Sequence, residues 1–231
     1  MKFTAQDLRH MIDFTILHNN DTPADIADFA AKAREGGYAA AFVMPCHVEQ
    51  LTKALKGCPT HSGAPIAFPT GAEPTQVKVD MVRYHVSKEV EEIDFVINIG
   101  WIKAGMYAEQ LEETKRIVEA AEGRIVKAII EVTCLTDEEI EKVSKTVVEG
   151  GATFVKTGTG MMPNPTTVHH VEVIHNAIGD TAQIKASGGV RDVETVIAMR
   201  KLGVTRFGIG WTNALKILEQ FEEKYPDGVE I

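Results

Sequence analysis

Lys156 closes the apolar run Phe154-Val155 and is followed by Thr157-Gly158-Thr159-Gly160, so an amine stands where a buried strand breaks into a loop of hydroxyls and glycines. Such a lysine either snorkels from a strand end onto a carboxylate or serves as an amine nucleophile, and this stretch alone leaves both readings open. Neighbouring runs supply the groups that would decide. Period-two alternation puts Asp94, Val96 and Asn98 on one face of residues 93–99, Lys127 and Glu131 on one face of 125–132, and Gln183, Lys185 and Ser187 on one face of the next strand but one. If these faces converge, Asp94, Lys127, Lys156 and Lys185 share one interior, with Asp13 and Glu131 as further members. Two ammonium groups close together in poorly solvated surroundings disfavour double protonation, which leaves one amine neutral. A neutral lysine attacks a carbonyl to give an imine, and the imine is an electron sink for breaking or making the adjacent carbon-carbon bond. Asp94 and the second lysine would then move protons through water. An inert ion-pair network filling the same interior is the competing explanation.

The elements that must position these residues alternate strictly. Strand patterns at 12–17, 39–43, 65–68, 93–99, 125–132, 153–156, 182–186 and 206–208 are each followed by a helical pattern. Those helical patterns cover 22–33, 47–55, 75–88, 105–121, 136–148, 165–177, 192–201 and 212–222, and a short helix at 4–11 precedes them all. Thr136 with Glu139 forms a capping-box signature, and Gly36-Gly37 and Gly150-Gly151 mark stops. Eight βα repeats predict a parallel sheet closed into a (β/α)8 TIM barrel, with the chemistry at the C-terminal ends of its strands. Residues 1–231 read as a single barrel domain, without linker or low-complexity run. The turn Gly188-Gly189-Val190-Arg191 follows the seventh strand and opens a helix, a place where barrels hold a phosphate on backbone N–H groups.

Composition narrows the partners. The chain has 231 residues, 44% hydrophobic and 25% charged, with a formal net charge of -9, which argues against a nucleic-acid or anionic-membrane surface. Three scattered cysteines, Cys46, Cys58 and Cys134, form neither a disulfide framework nor a thiolate zinc site. Without a secretory or membrane-spanning apolar run, a cytoplasmic protein is expected. His169, His170 and His175 read as a solvated helix face rather than a metal site.

Taken together the motifs resemble the deoxyribose-phosphate aldolase family, the DeoC-type class I aldolases. The resemblance spans nearly the whole chain. It is carried by Ile12-Asp13-Phe14-Thr15-Ile16-Leu17, Phe68-Pro69-Thr70-Gly71-Ala72, the run from Glu92 to Gly100, the run from Phe154 to Gly160, and the run from Ile184 to Arg191. It implies a barrel that cleaves 2-deoxyribose 5-phosphate to acetaldehyde and glyceraldehyde 3-phosphate, with no cofactor or metal. Lys156 matches the Schiff-base lysine, Lys185 the lysine that perturbs it, and Asp94 the proton-relay aspartate. Asp13, Thr15, Thr157, Gly188, Gly189, Arg191, Gly210 and Trp211 are expected to bind the substrate. A homo-oligomer, dimer or larger, is expected as well.

The departures concern the substrate more than the chemistry. Phe14, His18 and Asn19 replace a histidine, a lysine and a proline of the family's first-strand motif, Phe42 and Met44 replace cysteine and asparagine, and Gly158 replaces a serine. Gly208-Ile209-Gly210-Trp211 stands where the family has Gly-Thr-Ser at the phosphate end. Losing that hydroxyl removes one or two charge-assisted hydrogen bonds, each worth roughly 1.5 to 3 kcal/mol. A related aldolase with a different or unphosphorylated aldehyde is therefore the second expectation, and a catalytically silent sugar-phosphate-binding barrel the third.

Overall fold

A computed structural model describes residues 2–231. A two-residue strand β1 (Lys2–Phe3) and a short helix α1 (Ala5–Arg9) precede the barrel. The eight barrel strands are β2 (Ile12–Ile16), β3 (Ala40–Val43), β4 (His61–Ile66), β5 (Glu92–Val96), β6 (Ile125–Ile129), β7 (Phe154–Lys156), β8 (Gln183–Ser187) and β9 (Val204–Gly210). All neighbours run parallel, in sequence order, and β9 pairs back onto β2 to close the cylinder. A last strand, β10 (Val229–Glu230), pairs antiparallel with β1.

The outer layer consists of α2 (Pro23–Gly36), α3 (Val48–Leu55), α4 (Thr75–Val86), α5 (Ile99–Lys103), α6 (Tyr107–Ala120), α7 (Asp137–Glu149), α8 (Val168–Ile178), α9 (Val193–Lys201) and α10 (Trp211–Lys224). Side-chain chemistry sets their starts. Thr22, Thr136 and Thr167 each accept from the N3 backbone while the N3 side chain reaches back, and Asp192 caps α9 through the N–H of Thr195. Strand residues facing outward, such as Phe14, Phe95, Val126 and Val155, are fully buried beneath these helices. Phe14 stacks between Phe29 of α2 and Tyr38, with ring centroids 5.1 and 4.2 Å away.

Several boundaries differ from the sequence reading. β4 starts at His61 rather than at residue 65, because Ala40, Ala41 and Phe42 pair with His61, Ser62 and Gly63 although Gly63 and Pro65 are poor strand formers. β5 ends at Val96: Asn98 leaves the strand to cap α5, its Oδ1 accepting from the N–H of Trp101 at 3.2 Å. The alternation that would carry Asn98 inward therefore stops short of it. β6 ends at Ile129, and Glu131 adopts the left-handed conformation at φ 52°, so its parity with Lys127 has no structural meaning. The short pair β1 and β10 carries too little pattern to be read from the sequence.

Candidate active site

Seven charged side chains, with His61 at their edge, meet inside the barrel in a stack that runs from its N-terminal end towards Lys156. At the bottom, Glu92 of β5 accepts from Lys127 of β6, from Arg206 of β9 at 3.2 Å, and contacts His61 of β4 at 2.9 Å. One layer up, Asp13 of β2 accepts from Lys185 of β8 and from Arg206 at 2.6 Å. Asp94 of β5 is the hub: its Oδ1 accepts from Lys127 at 2.8 Å, and its Oδ2 from both Lys185 at 2.6 Å and Lys156 at 2.8 Å. Adjacent strands in register make this possible, because Asp94 lies opposite Lys127 and Lys156 lies opposite Lys185.

Two amines thus share one carboxylate oxygen. Four cations, Lys127, Lys156, Lys185 and Arg206, face three carboxylates, Asp13, Glu92 and Asp94, so full ionisation leaves one positive charge in excess. Burial works against the charged form of Asp94, but Lys127, Lys156 and Lys185 together outweigh it and hold the carboxyl well below the usual range. Asp13 is lowered in the same way, its burial outweighed by Lys127, Lys185 and Arg206. For the lysines the balance differs. Lys127, between three carboxylates, keeps its proton more firmly than a free lysine in spite of its burial. Burial dominates at Lys185, aided by the charges of Lys156 and Lys127, and pulls its pKa down to about 8 against the attraction of Asp13 and Asp94.

An aromatic ring lines the amines. Phe42 of β3 lies 4.7, 4.6 and 6.0 Å from the Nζ atoms of Lys127, Lys185 and Lys156, measured from its centroid. Gly63 on the adjacent strand makes room for it, since a Cβ there would come within 2.2 Å of the ring.

Access distinguishes the three lysines. Lys127 and Lys185 are fully enclosed, whereas Lys156 is 7% exposed and forms part of the floor of a cavity of about 320 Å³ at the C-terminal ends of the strands. Thr15, His18, Thr159, Met161, Gly188, Gly189, Arg191, Gly210, Trp211, Thr212 and Asn213 are among its walls. No carboxylate of the described residues lines it; its ionisable groups are Lys156, Arg191 and His18. Gly188 and Gly189 have φ of 89° and 104°, and a Cβ at Gly189 would lie 2.5 Å from Pro165, so only glycine forms this wall. Gly210 is the exposed N-cap of α10 and has no side-chain cap. Trp211 follows it, half-buried, with the Lys32 ammonium 5.3 Å over its ring.

Of the residues expected from the sequence, Lys156, Thr15, Gly188, Gly189, Arg191, Gly210 and Trp211 lie around the cavity, with Lys185 and Asp94 directly beneath it. Asp13 and Thr157 do not line it. Asp13 is locked in the ion network below, and Thr157 is buried behind the wall, its hydroxyl donating to the Ser187 carbonyl at 2.7 Å. Glu131 stays out of the lysine cluster and instead holds Thr159. Sequence reasoning missed Glu92, Arg206 and His18. Glu92 shares the strand parity of Asp94 and was legible in principle, whereas His18 follows the end of β2 and carries no periodic signal. His169 pairs with Asp137 at 2.8 Å, and no group of three His, Cys, Asp or Glu side chains suited to a metal ion occurs among the described residues.

Comparison with known proteins gives a consistent result. Residues 9–208 match the family model "DeoC/LacD family aldolase". The deoxyribose-phosphate aldolase of Rhizobium meliloti (strain 1021) is 38% identical over 216 residues, covering 93% of this chain and 87% of the relative. That of Carboxydothermus hydrogenoformans is 40% identical over 209 residues, 89% of this chain and 92% of the relative. Among solved structures, "QR15, an Aldolase" superposes with a TM-score of 0.88 at 33% identity, covering 95% of this chain and 98% of its own. The tetrameric deoxyribose phosphate aldolase of Aeropyrum pernix, 24% identical, superposes with a TM-score of 0.86 over 95% of this chain and 92% of its own, a likeness of fold. With a closed eight-stranded barrel and this similarity along nearly its whole length, the chain belongs to the DeoC/LacD family of aldolases, enzymes of the lyase class.

Proposed function

We propose that the protein cleaves 2-deoxyribose 5-phosphate reversibly to acetaldehyde and glyceraldehyde 3-phosphate through an imine on Lys156. The observation that carries this reading is the cavity itself. In a chain of net charge -9, it is lined by Lys156, Arg191 and His18 and by no carboxylate, and so favours an anionic substrate. The Lys156 amine, once it has given up a proton, adds to the C1 carbonyl of the open-chain sugar, water leaves, and the protonated imine draws the electron pair of the C2–C3 bond. A base takes the C3 hydroxyl proton as that bond breaks, releasing the phosphorylated aldehyde. The remaining enamine is protonated at C2, and water hydrolyses the imine to acetaldehyde and the free amine. Asp94, which accepts from Lys156, and Lys185, which donates to the same Asp94 oxygen, supply and accept protons through water. The phosphate would rest on the N–H groups of the Gly188-Gly189 turn and of the α10 start, beside Arg191.

Gly210 and Trp211 favour a second reading, because the α10 start offers no side-chain hydroxyl at Gly210 and a bulky ring follows. That reading is an aldolase for a related unphosphorylated sugar. Treatment with borohydride in the presence of acetaldehyde is expected to add mass at Lys156, and Lys156→Ala to abolish turnover; no adduct together with an active variant would refute the imine. Turnover of 2-deoxyribose 5-phosphate is expected to exceed that of 2-deoxyribose by at least about tenfold in kcat/KM. A ratio near one selects the unphosphorylated substrate.

Cytoplasmic residence and self-assembly belong to the same proposal. Three free cysteines support the first, and no described helix is long and apolar enough to cross a membrane. Self-assembly is supported by α4, which carries Val77 and Tyr84 exposed at 45% and 55%, with Met81 between them on the same helix face.

A further inference from the structure

Glu131 is used by none of the steps above, yet its setting is unusual. It follows the end of β6 in the left-handed conformation, at φ 52° and ψ 62°, a region that non-glycine residues seldom occupy. Its side chain is 1% exposed, and no ammonium or guanidinium group pairs with it among the described residues. Both of its hydrogen bonds come instead from one residue of the next strand's loop: the Thr159 N–H at 3.1 Å and the Thr159 hydroxyl at 2.5 Å, both to Oε2. The other oxygen, Oε1, lies over Gly158, where a Cβ would approach it to 2.8 Å. The backbone on either side grips the nucleophile's segment too, Ile130 N–H donating to the Lys156 carbonyl at 2.9 Å and Val132 N–H to the Thr157 carbonyl at 2.8 Å.

A buried carboxylate without a cation is costly to maintain, and a strained backbone at the same residue adds to that cost. What the arrangement achieves is local. The turned backbone swings the carboxylate across to the β7 loop and pins Thr159, whose hydroxyl in turn accepts the Met161 N–H at 3.1 Å. Thr159, Gly160 and Met161 form one wall of the cavity above Lys156. The far end of the loop is tied separately, through Thr166 to the carbonyls of Gly188 and Ser187 at 2.7 and 2.6 Å.

We propose that Glu131 is a positioning residue: through Thr159 it fixes the wall formed by residues 159–161, and so orients the part of a sugar-sized substrate that extends beyond the imine carbon. This rests on the aldolase reading above. It separates two steps, since adding a two-carbon aldehyde to Lys156 needs the amine and the proton-transfer groups beneath it but not the wall, whereas cleaving the full substrate needs the wall as well.

The experiment compares wild type with Glu131→Ala, Glu131→Gln, Thr159→Val and Thr159→Ser. For each, the borohydride-trapped adduct of acetaldehyde at Lys156 is quantified, kcat and KM are measured for 2-deoxyribose 5-phosphate, and amide hydrogen exchange is followed in the peptide spanning 157–167. Glu131→Ala and Thr159→Val are expected to lower kcat/KM by about tenfold to a hundredfold and to speed exchange in that peptide, with trapping changed less than about twofold. Thr159→Ser, which keeps the hydroxyl, is expected to restore wild-type behaviour, and Glu131→Gln to fall between. Equal losses of trapping and cleavage, or cleavage unchanged in both Glu131→Ala and Thr159→Val, would overturn the proposal. Should Glu131→Ala fail to fold, the Thr159 pair decides alone. A wild-type enzyme that traps acetaldehyde but leaves 2-deoxyribose 5-phosphate intact refutes the substrate assignment instead, and the exchange rates still report whether Glu131 holds the loop.

Discussion

At the scale of single residues, the reactivity proposed for Lys156 rests on a surplus of one cation rather than on anything intrinsic to the lysine. Burial outweighs the two carboxylate partners of Lys185 and pulls its pKa down to about 8, and Lys185 shares the Asp94 oxygen with Lys156, which offers a short path for proton exchange between them. The rate of acetaldehyde trapping should therefore rise with pH and level off above about 8. Lys185→Met leaves three cations against three carboxylates and no surplus proton to release. We expect that variant to lose the inflection near pH 8 and to trap roughly a hundredfold more slowly, while staying folded. A variant with unchanged rate and inflection would show that the neutral amine arises elsewhere.

At the scale of elements, the loops and helix starts at the C-terminal ends of the strands decide which substrate the lysine meets. The N-terminus of α10 illustrates this. Gly210 has φ -57° and ψ 136°, a conformation open to any residue, and nothing lies within 4 Å of where its Cβ would be. Gly210→Ser should thus fit without strain, cap α10, and present a hydroxyl to the cavity. Relative to glycine, a serine cap is worth only a few tenths of a kcal/mol of stability, and a charge-assisted hydrogen bond should lower KM for the phosphorylated sugar by roughly three- to tenfold. Thermal denaturation and steady-state kinetics check the two effects separately. A variant that gains stability but no affinity would place the phosphate away from α10.

At the scale of the whole molecule, the barrel encloses a charged interior that ordinary folding would avoid. Asp13, Glu92 and Asp94 are each held below their usual pKa by the cations around them, although burial opposes it. In the unfolded chain the same carboxyls take up protons near pH 4. Their contribution to stability is present above that pH and is lost as pH falls through the lower folded-state values. The melting temperature should accordingly fall steeply between about pH 4 and pH 2, and Asp94→Asn should weaken that dependence. A melting temperature that stays flat down to pH 2 would mean the network contributes nothing to folding.

How much of this was legible follows from the reach of each physical signal. Alternating apolar periods of two and of three to four residues reflect local burial, so eight βα repeats, and with them the barrel, were readable along the chain. Lys156, Lys185 and Asp94 stood out for the same reason: each is a charged residue directly preceded by an apolar one within a strand. Strand ends were not, because β5 and β6 stop where Asn98 caps a helix and Glu131 turns left-handed, choices made by neighbours rather than by local pattern. The sequence by itself determined the fold and the aldolase family. Only the tertiary structure decided that Lys156 is the accessible amine, that Lys185 carries the cost of burial, and that Asp13 and Thr157 stand behind the wall rather than in it. These are matters of access and desolvation, which arise only when distant strands close around one another.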